Sequence, residues 1–169
     1  MYPAYAPAGD RLIASLLRAN ESIQMDPRRE WSAQQPDTLD MKVTDDTWMV
    51  PSAWSPDGRQ LVGTVVNKAG SPIGVGVYDV TSRTARMVAK GSSTFLGFVW
   101  LPDSRRALYG DTDTDTLWLV DVESGSRKAL ATGLKLGLGL AASPDRRTLY
   151  ASIARQQADL WMIDMKGAR

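Results

Sequence analysis

Cysteine and histidine are both absent from this chain of 169 residues. Without cysteine, the chain cannot form a disulfide or present a thiolate to a metal or a substrate. Without histidine, it lacks the most common general base and the most common metal ligand of proteins. A Ser-His-Asp or Cys-His catalytic arrangement therefore cannot be assembled from the residues of this chain alone.

Basic tracts and long apolar runs are missing as well. The 20 basic and 19 acidic residues are spread along the chain and give a net charge of +1, which indicates neither a nucleic-acid nor an anionic-membrane partner. No apolar run reaches the length of a membrane span. With 43% hydrophobic and 23% charged residues, the composition is typical of a globular protein, and the length is typical of one domain.

What the chain does contain is a repeated turn sequence. Aligned on its proline, it reads YAPAGDRLI (5–13), WSPDGRQLV (54–62), WLPDSRRAL (100–108) and AASPDRRTLY (141–150), so that successive prolines are 49, 46 and 42 residues apart. Proline presets φ at the first turning position, aspartate hydrogen-bonds the backbone two residues on, and glycine adopts a positive φ without steric cost. Gly9 and Gly58 fit that last position, which Ser104 and Arg146 occupy in the other two repeats. We predict one tight hairpin turn in each of four units, at about residues 1–49, 50–95, 96–137 and 138–169.

A second element follows each turn within the same unit, as an apolar run that ends in aspartate. The runs are SIQMDP (22–27), VGVYDV (75–80), LWLVDV (117–122) and LWMIDM (160–165), and a third element, ARMVAK (85–90) or RKALAT (127–132), follows in two units. We interpret Asp26, Asp79, Asp121 and Asp164 as turn formers at strand ends, because a catalytic pair needs no copy in every unit. The stretch DRLIASLLRANES (10–22) has a helix-like pattern, but its place in the repeat favours a strand.

The predicted strands are apolar almost continuously, as in RQLVGTVV (59–66) and TLWLVDV (116–122). A strand with one face in water alternates instead. Burial on both faces is expected where small sheets stack side by side around an axis, and a repeat of this length with four short strands is typical of a propeller blade. We therefore predict an all-β fold, namely a partial, open β-propeller of about four blades, each with four antiparallel strands.

The stretches WSPDGRQLVGT (54–64), WLPDSRRALYGD (100–111) and SPDRRTLYASI (143–153), the last followed by ADLWMIDM (158–165), resemble the WD-like Pro-Asp propeller repeats of TolB-like domains. The resemblance covers essentially the whole chain. It is strongest toward the C-terminal propellers of bacterial serine/threonine protein kinases, to which EWSAQQPDTL (30–39) and DDTWMVPSAWSPDG (45–58) are also similar. The chain itself carries no HRD, DFG or VAIK motif of a kinase domain.

This resemblance implies a non-catalytic propeller that binds a protein or a small ligand, as the sensor or scaffold part of a larger bacterial protein such as a receptor-type serine/threonine kinase. It also favours a location outside the cytoplasm, in the periplasm or beyond. The alternative is the substrate-gating propeller of a prolyl-oligopeptidase-like serine peptidase. A stand-alone enzyme using carboxylates and a metal is a third hypothesis, which the lack of histidine and the regular spacing of the aspartates count against. We predict no cofactor, no metal and no catalytic residue in this chain.

The antiparallel order of a blade places the four Pro-Asp turns on one rim, which we call the Pro-Asp rim. Loops 44–49, 67–72, 91–96, 110–115 and 154–158 lie on the other, the far rim, and they are longer and more varied. We expect a protein or small-molecule partner to bind at the far rim, and not a nucleic acid or a membrane. The candidate binding residues are Asp45, Asp46, Trp48, Asn67, Phe95, Asp111, Asp113 and Asp115.

Each candidate also has a plain structural interpretation. Trp48 can pack on a blade edge, and the alternating Asp111, Asp113 and Asp115 can belong to a polar hairpin loop. A calcium loop of the EF-hand type is excluded, since Thr116 stands where that loop needs glycine and Val122 where it needs glutamate. The open edge of the partial ring is a further predicted contact surface, which pairs with more blades or with another copy.

Overall fold

The structure is a computed structural model, and it describes residues 3–15, 21–91, 95–143 and 147–153. Fifteen strands in four antiparallel sheets make up nearly all of its regular structure. The first sheet contains β1 (Pro3–Tyr5), β2 (Leu12–Ser15), β3 (Glu21–Met25) and β4 (Asp37–Asp40). The second contains β5 (Lys42–Thr44), β6 (Thr47–Trp54), β7 (Gln60–Asn67), β8 (Pro72–Asp79) and β9 (Thr84–Lys90).

The third sheet contains β10 (Phe95–Trp100), β11 (Arg106–Asp111), β12 (Thr116–Asp121) and β13 (Arg127–Thr132). The fourth contains β14 (Leu136–Ala142) and β15 (Leu149–Ile153). Each sheet is a meander in which strands adjacent in sequence pair with each other. The predicted all-β, partial propeller is therefore confirmed, and the described part of the helix-like stretch 10–22 contributes to strands β2 and β3.

Three elements were not located by the repeated sequence motifs. The first unit also has an outer strand, β4, which follows a three-residue 3-10 helix at Trp31–Ala33. A short strand, β5, pairs with the start of β6 and makes the second sheet five-stranded.

Within the described residues, no helix is long and apolar enough to cross a membrane.

The Pro-Asp turns adopt the conformation that their residues predict. Gly9 and Gly58 have φ of 68° and 69°. Ser104 takes the same left-handed conformation at φ 53°, which costs a residue with a side chain about 1 kcal/mol. The Asp57 carboxylate accepts a hydrogen bond from the Arg59 N–H at 3.1 Å, so that the aspartate closes its own turn. The equivalent Arg146 lies outside the described residues.

The aspartates at the ends of the third strands also form turns, as predicted. Asp79 Oδ1 accepts hydrogen bonds from the Thr81 and Ser82 N–H groups at 2.9 and 2.8 Å. Asp121 Oδ1 accepts them from Glu123 and Ser124 at 3.1 and 3.0 Å. Asp26 accepts one from Arg28, and Asp164 lies outside the described residues.

Neighbouring residues of one strand are buried in two different interfaces. Leu61 on β7 packs between the first and second sheets, with Ile13 and Tyr78. Val62, the next residue, packs between the second and third sheets, with Trp100. A third cluster, built on Val99, Leu108 and Leu117 with Leu140 and Leu149 around it, joins the third and fourth sheets. This is why the strand sequences are apolar without alternation.

Tryptophan side chains connect the second and third sheets to the sheet that precedes each of them. The Trp54 Nε1–H donates a hydrogen bond to the Ala4 carbonyl at 3.0 Å, and the Trp100 Nε1–H donates one to the Ala53 carbonyl at 3.1 Å. Both donors stand directly before a Pro-Asp turn, and both acceptors lie three residues before the proline of the preceding repeat. The two tryptophans therefore serve packing between blades.

Candidate binding site at the propeller axis

One strand of each sheet, namely β1, β6, β10 and β14, borders the axis of the propeller; we call these the inner strands. They line a cavity of about 370 Å³, open on one side, near their Pro-Asp ends. Its lining residues come from all four sheets and are Ala4, Tyr5, Ser52, Ala53, Trp54, Phe98, Val99, Trp100, Leu140, Ala141, Ala142 and Ser143. A volume of this size lies at the lower end of the range for small-ligand pockets.

Irregularities in two inner strands shape the cavity wall. In β6 the register shifts between Pro51 and Ala53, so that Ser52 is an extra residue with an exposed side chain in the cavity. In β10 the register shifts between Leu96 and Phe98, and Gly97 takes φ 60° at this bulge. Bulges bend a strand and redirect its side chains, and they are common beside binding sites.

The cavity is uncharged but not wholly apolar. None of its lining residues carries a charged side chain. Tyr5 is 60% exposed and presents a hydroxyl, and Ser52 presents another. Because β1, β10 and β14 end the strand order of their sheets, each also has a backbone edge that its own sheet does not pair. The cavity can therefore hold a neutral ligand that offers both apolar surface and hydrogen-bonding groups.

Charged side chains of the Pro-Asp rim lie beside cavity residues without lining the cavity themselves. The Arg11 guanidinium lies 4.6 Å from the centre of the Trp54 ring and donates to the Gly58 carbonyl at 3.1 Å. Burial disfavours ionisation of Asp57, but hydrogen bonds from Ser55 Oγ and from the Arg59 N–H outweigh it and lower the pKa of that carboxyl. These groups are engaged in the turns and between sheets.

The far-rim candidates form a second, separate group. Asp45 and Asp46 form the turn between β5 and β6, where Lys42 Nζ lies 2.6 Å from Asp45 and Lys68 pairs with Asp46. The lysine lowers the pKa of Asp45 through a hydrogen bond and its charge. Trp48 is half-buried in β6, opposite Val66.

Asn67 lies at the neighbouring loop of the far rim and holds that loop closed. Its Oδ1 accepts hydrogen bonds from the Ala69 and Ser71 N–H groups, both at 3.0 Å. The ion pair of Lys68 with Asp46 joins this loop to the turn between β5 and β6. The structure thus brings Asp45, Asp46, Trp48 and Asn67 onto one small surface, and binding there stays a prediction.

The aspartates of loop 110–115 act mainly on their own hairpin. Asp111 is 5% exposed, and its Oδ1 accepts hydrogen bonds from the Asp113 and Thr114 N–H groups at 3.0 and 3.1 Å. Asp115 takes φ 48° at the end of the turn. Over the part of the chain that the structure describes, no three acidic side chains gather closely enough to hold a metal ion.

Two predicted parts of the far rim, Phe95 and loop 154–158, are described incompletely or not at all. Phe95 begins β10 opposite Asp111, while its side chain and residues 92–94 are not described. Loop 154–158 is outside the described residues altogether.

The cavity residues Tyr5, Ser52 and Ser143 were not among the sequence candidates. The signal that could have found them is their place just before a Pro-Asp turn, where inner strands of a propeller approach the axis.

These features define the chain as a partial β-propeller. No protein-family model and no curated protein matches it. Among solved structures, it is similar to the putative TolB from Agrobacterium tumefaciens, with 21% identity and a TM-score of 0.66 over 90% of this chain and 53% of that one. It is also similar to a chain of a nidogen/laminin complex, with 15% identity and a TM-score of 0.67 over 91% of this chain and 56% of that one.

An oligogalacturonate lyase in complex with manganese shares 12% identity, with a TM-score of 0.67 over 87% of this chain and 44% of that chain. At these identities the likeness concerns the fold, which is that of TolB-like and other β-propellers. The chain spans about half the length of the TolB and nidogen/laminin structures that it matches. Since a lyase shares the fold, the fold by itself decides nothing about catalysis.

Proposed function

We propose that this chain is a non-catalytic binding module whose axial cavity takes an extended, uncharged polypeptide segment of a partner protein. The observation that carries the proposal is the uncharged cavity at the convergence of four inner strands. A peptide backbone presents alternating donors and acceptors, which match the free edges of these strands, and small neutral side chains fit among Ala53, Val99 and Ala141. A propeller fold shared with TolB and with a chain of the nidogen/laminin complex supports a binding role.

The test begins with the selection of short displayed peptides that bind the chain. Ser52→Trp should fill the cavity and weaken binding of a selected peptide at least about tenfold, which corresponds to roughly 1.4 kcal/mol. The matched control is Ser71→Trp, which places the same side chain on an exposed position of the far rim and should leave binding unchanged. A peptide that loses affinity with Ser71→Trp or Trp48→Ala, but not with Ser52→Trp, would move the site to the far rim and contradict the axial site.

The non-catalytic part of the proposal is supported by the chemistry of the repeated aspartates. Asp26, Asp79 and Asp121 each accept backbone hydrogen bonds that shape a turn. The carboxylate at this equivalent position therefore has a structural role in three units. The sequence also offers no histidine or cysteine. Finding hydrolytic or lyase activity in a broad substrate screen of the purified chain, lost in a cavity variant, would overturn this part.

For the larger protein, we propose a receptor-type bacterial serine/threonine kinase in which this propeller is the sensor part outside the cytoplasm. The support is the resemblance of stretches 30–39 and 45–58 to kinase-associated propellers. The neighbouring coding sequence tests it directly. An upstream kinase domain with a membrane span would support it, whereas a downstream G-x-S-x-G motif would favour the peptidase alternative instead.

A further inference from the structure

Adjacent sheets meet near the axis through one repeated contact. The tryptophan before a Pro-Asp turn reaches back to the inner strand of the preceding sheet, from Trp54 to the Ala4 carbonyl and from Trp100 to the Ala53 carbonyl. In the first sheet the same position is Tyr5, which is 60% exposed. The phenol of Tyr5 can donate a hydrogen bond in the same direction, away from the second sheet.

A second repeated contact lies at the outer edge of the Pro-Asp rim. There the turn before a sheet's last strand packs on the last strand of the preceding sheet. Arg83 in the second sheet forms an ion pair with Asp37 in the first at 2.9 Å. Gly125 in the third sheet lies so close to the second that an added Cβ would stand 2.5 Å from the Val88 carbonyl.

In the first sheet, this outer contact position is the longer connection 26–36, which carries an exposed tryptophan. Trp31 is 56% exposed. Gln34 holds the connection in shape, because its Oε1 accepts from the Asp26 N–H at 2.9 Å and its Nε2 donates to the Asp26 carbonyl at 2.9 Å. The first sheet thus presents a preorganised aromatic residue at each of the two positions where the second and third sheets contact their predecessors.

The fourth sheet presents matching groups on its opposite side. Ala142 and Leu149 pack toward the third sheet, so that their neighbours Ala141 and Tyr150, which pair with each other, belong to the other face. Tyr150 is 60% exposed. The Ala141 carbonyl lies three residues before its proline, as do the two carbonyls that accept from Trp54 and Trp100. The Tyr5 phenol at one end of the arc therefore has a matching acceptor at the other end.

We propose that a second copy of this chain closes the ring, with the first sheet of each copy docked against the fourth sheet of the other. A two-fold rotation relates the two copies, so that both junctions are identical and the ring has no open end. The chain covers 53% of the TolB structure and 56% of the nidogen/laminin chain, so that two copies supply about the length of one such propeller. The second copy also supplies inner strands on the open side of the axial cavity. The pairing rests on the contacts between sheets and not on peptide binding.

The absence of native cysteine makes a cross-linking test simple. One variant carries Tyr5→Cys and another carries Ala141→Cys, and they are mixed with a short thiol-reactive cross-linker. The proposal expects a covalent dimer in the mixture and little from either variant alone, because each junction joins unlike ends. A covalent dimer from Tyr5→Cys alone would show that the first sheets of two copies meet each other. No covalent dimer in any sample would show that no second copy docks. Either result overturns the proposal.

Sedimentation velocity of the unmodified chain gives an independent measurement. A dimer is expected, and Tyr5→Ala combined with Trp31→Ala should raise its dissociation constant at least about tenfold. Leu130→Ala is the matched control, since Leu130 is 48% exposed on the outer strand of the third sheet, away from both ends. A folded monomer at all concentrations would overturn the proposal and favour further blades of a longer polypeptide as the occupant of the edge.

Discussion

The indole of Trp54 joins two sheets through its N–H group while its ring fills the interface between them. It is 4% exposed, it donates to the Ala4 carbonyl at 3.0 Å, and Arg11 lies over its ring. Trp54→Phe keeps an aromatic ring but leaves the Ala4 carbonyl without its donor in a buried place. We expect the free energy of unfolding to fall by about 1–3 kcal/mol, measured by chemical denaturation.

Trp31→Phe, measured at protein concentrations where the chain is monomeric, is the control for that loss, because Trp31 is 56% exposed and its indole joins no two sheets of one copy in the described structure. Its effect on the free energy of unfolding should stay within about 0.5 kcal/mol. Equal effects of the two substitutions would show that the hydrogen bond between sheets contributes nothing to stability.

Gly97 and Gly70 separate the cost of backbone conformation from the cost of a close contact. Both have a positive φ, 60° and 77°, but an added Cβ would lie 2.6 Å from the Leu140 N at Gly97 and would meet nothing within 4 Å at Gly70. Gly70→Ala should therefore lower the free energy of unfolding by about 1–2 kcal/mol through its left-handed backbone alone. Gly97→Ala should cost clearly more, because the third and fourth sheets must move apart. Equal thermal unfolding of the two variants would contradict the close packing of these sheets.

The turns between strands depend on ionised aspartates, and Asp121 is the strongest case. Hydrogen bonds from the Ser124 N–H, and then the Arg105 guanidinium at 2.7 Å, lower the pKa of Asp121 from 3.8 to about 2. Because the folded state favours the ionised form, this group stabilises the fold above about pH 3.8, and the contribution disappears as the pH falls through about 2. Asp121→Asn should lower stability at neutral pH, and its difference from the unmodified chain should shrink across that interval.

Urea unfolding of the unmodified chain and of Asp121→Asn at a series of pH values measures this difference. If Asp121→Asn leaves the dependence of stability on pH unchanged, the turn carboxylate is not a source of stability.

Turns and strands were predictable from sequence because their causes are local. Proline, aspartate and glycine each supply one feature of the Pro-Asp turn, and the left-handed φ of Ser104 follows from its place in the repeat. The axial cavity was not predictable in the same way. It depends on how far apart the inner strands stand and on the bulges at Ser52 and Gly97, which no local pattern marks.

At the scale of the whole molecule, stability is distributed unevenly among the sheets. The second sheet is covered on both faces, and residues such as Leu61, Val62, Val75 and Val77 are at most 1% exposed. The outer strand of the third sheet is largely exposed, and so is β15 in the fourth. In a stack where each unit contacts only its neighbours, terminal units open first. The ends of the arc are therefore where a partner can add most stability.

Amide hydrogen exchange should show this order of stability. Strands β7 and β8 are expected to exchange slowest, and β15 among the fastest, because opening β15 exposes little buried surface. If a second copy closes the ring, protection of β1 and β15 should rise with protein concentration while that of β7 and β8 stays constant, since only the terminal sheets gain a neighbour. Uniform protection across all four sheets would contradict the stacked-blade account of stability. Protection of β1 and β15 that does not change over a wide concentration range would contradict ring closure by a second copy.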